Sequence, residues 1–189
     1  MENLNMPDNI LEIITKNLGY PALGKIDPNS QEPKLPERSV EQKIAQAAIP
    51  AVLTAIYKYS RTTEGQNYLS HDLSQSDDLL HNIYMGNENE AFRKVAEYAG
   101  ISEPEAESRM EKIADEAANI IRKAVDKGGS EAVQKYMADQ SHAILVNLPA
   151  ALKMGDVLQD ETIDDRTNKM EGPVSNLMHK IEKGFSSGT

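Results

Sequence analysis

Ser102-Glu103-Pro104-Glu105, continued by AESRMEKIADEAANIIRKAV over residues 106–125, is the stretch that decides the fold class. Ser102 and Glu105 form a capping box, in which each side chain satisfies a backbone N–H left open in a first helical turn. Pro104 falls inside that turn, where its missing donor costs nothing. Ala106, Met110, Ile113, Ala117, Ile120 and Ala124 then follow in alternating steps of four and three. That spacing sets them on one helix face, with Glu107, Glu111 and Lys123 on the other. Lys127-Gly128-Gly129 predicts the stop, and Ser130 the cap of a next helix lined by Val133, Met137, Ile144 and Leu148.

The same pattern extends in both directions. Ser39-Val40-Glu41-Gln42 is a second capping box, and Ile44, Ala48, Val52, Ala55 and Tyr59 line the helix it opens. Pro50 lies within that helix and is expected to kink it or split it in two. Shorter helical patterns span 63–70, 76–85 and 89–99, with Gly100 closing the last, and an N-terminal one spans 7–18. Residues 19–38 hold too many Pro and Gly for regular structure and are read as a loop. The helical core is placed at 39–154, an acidic loop or frayed helix at 155–172, and an amphipathic C-terminal helix at 173–185. Ile49-Pro50-Ala51-Val52-Leu53 is echoed by Leu148-Pro149-Ala150-Ala151-Leu152, which reads as two kinked helices with small residues for close packing. No run alternates like a strand. The expectation is one all-α domain, a compact array or bundle of roughly seven to nine helices.

Composition narrows the function classes. The 189 residues include 30 Asp+Glu against 20 Lys+Arg, a net charge of -10 that repels a phosphate polyanion and argues against nucleic-acid binding. Cysteine is absent, which removes disulfides, zinc–thiolate sites and Cys nucleophiles. The longest near-apolar run, Ala47 to Leu53, is far short of the roughly 20 residues of a membrane span. With no basic, apolar leader at Met1-Glu2-Asn3-Leu4, a cytoplasmic location is expected. Membrane-surface contact through Lys180 and Lys183 is disfavoured by the net charge.

Two Asp-x-x-His pairs, Asp78/His81 and Asp139/His142, each set a carboxylate and an imidazole on one helical face. Di-iron bundles use a Glu-x-x-His pair on each of two helices, with further carboxylates from the other two, for which Glu41 and Glu116 are the candidates. His71-Asp72 resembles the adjacent pair of HD-type phosphohydrolases, without assignable companions. Glycine-rich phosphate loops and nucleophile elbows are missing. The acids at 156–165 lack the alternating ligands and central Gly of an EF-hand. The tyrosines at 57, 59, 68, 84, 98 and 136 are expected to pack at the core or its rim with hydroxyls reaching water.

His81-Asn82-Ile83-Tyr84-Met85-Gly86, the amphipathic stretch from Asn87 to Gly100, the Ile101-Ser102 turn and the helix bearing Ala106, Met110 and Ile113-Ala114 resemble the YidB-like family of uncharacterised bacterial helical proteins. The resemblance covers residues 76–128. This chain departs from that family at Asp115-Glu116-Ala117-Ala118, where relatives are more apolar and often carry Pro. It departs again at Tyr84-Met85, where the family's aromatic is followed directly by Gly. The resemblance implies an all-helical bacterial cytoplasmic protein; it implies no activity, cofactor or site residue.

The leading functional reading is therefore a non-enzymatic module for protein interaction or self-association, needing no cofactor. Val174, Leu177, Met178 and Ile181, on one side of the C-terminal helix, are its candidate partner surface. The alternative is a metal-dependent enzyme using the two Asp-x-x-His pairs.

Overall fold

The computed structural model describes residues 9–27, 33, 39–71, 78–125 and 128–168, the side chains of 165–168 excepted. Within them lie nine α-helices: α1 Ile10–Asn17, α2 Val40–Tyr59, α3 Thr63–Ser70, α4 Leu79–Tyr84, α5 Glu88–Ala99, α6 Glu103–Val125, α7 Gly129–Val146, α8 Met154–Leu158 and α9 Glu161–Asn168. A 3-10 turn, Ala150–Leu152, joins α7 to α8. The described residues form no strand, only one isolated bridge between Ile26 and Pro33. The fold is all-α.

Helix α2 is the axle. Every residue from Ile44 to Ile56 is buried, the signature of a helix covered on all sides. Ala45, Ala47, Ala48, Ala51 and Ala55 have small side chains that let neighbours approach closely, and α2 packs against α1 and α3–α8. Pro50 neither ends nor splits the helix, contrary to one expectation from the sequence: α2 runs unbroken through it. Enclosure on every side outweighs the lost backbone bond, and Thr54 Oγ1 donates to the Pro50 carbonyl at 2.7 Å.

Helix α6 follows its sequence pattern closely. Ser102 Oγ accepts from Glu105 N at 3.4 Å, and Ala106, Met110, Ile113, Ala117 and Ile120 are buried. The stripe turns slightly at the end, where Ile121 and Val125 are buried and Ala124 is exposed. Ser130 does not cap α7. The helix begins one residue earlier, at Gly129, whose φ of +66° favours glycine, and Gly128 precedes it without a side-chain cap.

Three other expectations change. The 155–172 stretch is mostly helical where described, α8 and α9 meeting at Gln159 and Asp160, and Val157, Leu158 and Ile163 are buried. Asp160 Oδ1 accepts from Thr162 N at 3.2 Å, and Asp164 Oδ1 from Gly155 N at 2.9 Å. Asp160 and Asp164 act as local caps. The 148–152 echo also fails, because Pro149 is extended and opens a 3-10 turn, whereas Pro50 sits in mid-helix. Lastly, the Tyr59 and Tyr84 hydroxyls are buried instead of reaching water. No helix among the described residues is long and apolar enough to cross a membrane.

Candidate functional site

The sequence-predicted residues take separate structural roles. Asp78 is the N-cap of α4, its Oδ1 accepting from His81 N at 3.2 Å. The His81 ring turns the other way, its Nδ1 lying 3.1 Å from Glu88 Oε1 at the start of α5. Asp139 and His142 are exposed on α7. Glu41 is paired with Arg109, and Glu116 accepts from Asn17 Nδ2 at 2.7 Å. Among the described residues no group of three or more His, Cys, Asp or Glu is placed to hold a metal ion, so the two Asp-x-x-His pairs are not brought together. His71 Nδ1 donates to the Asn67 carbonyl at 2.7 Å, closing off the end of α3. Asp72, Val174, Leu177, Met178 and Ile181 lie outside the described residues.

Two other places stand out. The first is the turn between α4 and α5. Gly86 N donates to the His81 carbonyl at 3.1 Å and Met85 N to Asn82 at 3.3 Å, the paired bonds of a Schellman cap. Its left-handed position is held by Met85, at φ 55° and ψ 38°. Helix α5 ends with the same conformation at Gly100, φ 73°, as the backbone prefers. A side chain there costs roughly 1–2 kcal/mol. Met85 is nevertheless 71% exposed, so burial of its side chain offsets little of that cost. The His81–Glu88 contact braces the turn. Burial disfavours the Glu88 carboxylate, but the bond to its own backbone N–H and the His81 contact outweigh this and hold its pKa below the usual value. Beside the turn lies a cleft of about 270 Å³, where Ile83 and Met85 face Lys58, Arg61 and Asp160. Lys58 Nζ donates to the Leu158 carbonyl, tying the end of α2 to the end of α8.

The second place is a cleft of about 470 Å³ between α1 and the chain that follows it, with Leu11, Ala22, Leu23, Lys16 and Lys25 among its lining residues. Two buried glutamines hold its walls together. Gln140 Oε1 accepts from Ile10 N at 3.1 Å, fixing the start of α1 on α7. Gln46 Oε1 accepts from Gly24 N at 2.8 Å while its Nε2 donates to the Asn147 carbonyl at 2.8 Å. Outside the cleft wall, Arg109 pairs with Glu41 at 2.9 Å and stands 6.0 Å from the centre of the Tyr20 ring. Burial pushes the Tyr20 phenol up, against the pull of Arg109. The sequence pattern offered no reason to select Glu88 or Arg109. Gln46 did carry a signal: it is a polar residue with apolar neighbours throughout, in AQAAIPAVL over residues 45–53.

No protein-family model, no curated protein and no solved structure matches this chain.

Proposed function

We propose that this protein is a non-enzymatic interaction module whose contact point for another protein, or for a second copy of itself, is the Met85–Gly86 turn. One observation carries the reading: a large apolar side chain is 71% exposed on a left-handed residue where Gly costs less. Methionine adapts to irregular apolar partners and is favoured at such surfaces. The turn is braced by His81–Glu88 and stands beside a cleft whose walls are apolar and charged, Lys58 and Arg61 with Asp160, a geometry suited to anchoring a partner's side chain. The YidB-like resemblance of residues 76–128 belongs to the same proposal, since it spans this turn.

Met85→Gly separates this reading from a structural role. The variant relieves the backbone, so it is expected to melt at an equal or higher temperature, by about 1 kcal/mol of added stability. At the same time it should lose self-association in sedimentation velocity, or the capture of a partner that the parent retains. A variant that gains stability and keeps every association would sink the proposal.

A further inference from the structure

We infer that the cleft between α1 and residues 19–25 binds an apolar monocarboxylate, a medium-chain alkanoate. The volume of about 470 Å³ lies in the range of small-molecule sites, and the walls are held in place before any ligand arrives. Gln46 and Gln140, 1% and 3% exposed, fasten Gly24, Asn147 and Ile10 around the cleft by three hydrogen bonds. A buried amide is retained where its bonds fix a geometry.

The chemistry of the lining selects the ligand. Leu11, Ala22 and Leu23 supply apolar wall. The neutral polar residues beside them are already engaged, the Tyr20 hydroxyl with Arg109. Thr15 Oγ1 donates to the Leu11 carbonyl at 2.6 Å, Asn147 Nδ2 donates to Ala143 at 2.8 Å, and Asn9 Oδ1 accepts from Leu11 N at 3.1 Å. Little remains to read a sugar or a base. Lys16 and Lys25 differ, for neither has an ion-pair or hydrogen-bond partner among the described residues. Two such lysines in a lining that also carries apolar side chains match a carboxylate on an alkyl chain. Glu12 also lines the cleft, so two cations stand against one carboxylate, a balance that suits a ligand with one negative charge rather than two. This site is separate from the Met85 turn, and its test is independent of that reading.

The test titrates the full chain with octanoate, decanoate and octanol, followed by calorimetry and amide chemical shifts. Saturable shifts are expected at Leu11, Ala22, Leu23 and Gly24, with octanol weaker than octanoate. Lys16→Gln and Lys25→Gln should each weaken octanoate by about two- to fivefold, the scale of an exposed ion pair. Ala22→Phe, at an exposed position, should abolish binding while the thermal melt is kept. Absence of saturable shifts, octanol equal to octanoate, or lysine variants with unchanged affinity would each overturn the inference. If Ala22→Phe fails to fold, the lysine variants and the alcohol comparison decide the matter alone.

Discussion

The side-chain amide of Gln46, in the middle of the most buried helix, donates to the carbonyl of Asn147 across 2.8 Å and so ties α2 to the end of α7, about a hundred residues away in the chain. Its oxygen takes the N–H of Gly24 at 2.8 Å, which brings the segment after α1 onto the same point. Gln46→Leu preserves volume but leaves one donor and one acceptor without their partner. A loss of about 2–4 kcal/mol is expected, measured by urea unfolding, with amide exchange at Gly24 accelerated. Unchanged exchange at Gly24 would show that the bond is dispensable.

The hydroxyl of Tyr84 gives the opposite expectation. The residue is fully buried and its Oη has no hydrogen-bond partner among the described residues. Burial accordingly pushes the phenol far above its ordinary range. Tyr84→Phe removes an unsatisfied polar atom without opening a large cavity, so stability should hold or rise by about 1 kcal/mol. A loss of more than about 1 kcal/mol would reveal a partner for the hydroxyl.

Ile113 is fully buried at the centre of the α6 face. Ile113→Asp places an uncompensated charge there and should cost more than about 4 kcal/mol, a large part of the total stability of a domain this size. The expected result is loss of a cooperative melt by circular dichroism. A melt near the parent temperature would mean that α6 is not packed as described.

Acid stability should depend on Glu88. Its pKa is lowered in the folded protein, against the desolvation that raises it, by its backbone bond and by His81. A depressed carboxylate contributes stability that is present above its unfolded value of about 4.5 and is lost as pH falls through the lower folded value. Melting temperature followed from about pH 6 down to pH 3 should fall more steeply in the parent than in Glu88→Gln. Parallel curves would remove Glu88 from the acid transition.

Much of this architecture was legible locally. The serine caps at Ser39 and Ser102, the stop at Gly100 and the buried stripe of α6 are each set by residues within a turn or two of one another. Short-range bonding and helical periodicity act on neighbours, so sequence alone determined the all-α class, and in places the boundaries: Thr63–Ser70 lies where the pattern placed it. The tertiary structure decided what depends on distant partners. Pro50 stays inside α2 because other helices enclose it, although its local chemistry favours a break. His81 turned to Glu88, and Asp78 to a helix cap, because backbone N–H groups and neighbouring charges compete for the same side chains. Gln46 became a staple through two partners far from it in the chain, one on either side, and Met85 came to stand exposed in a left-handed cap beside the ends of α2 and α8. Periodicity tells which face of a helix is covered; it carries no information on which remote group does the covering, and each candidate site is completed by such groups, Lys58 and Asp160 beside the Met85 turn and Asn147 at the α1 cleft.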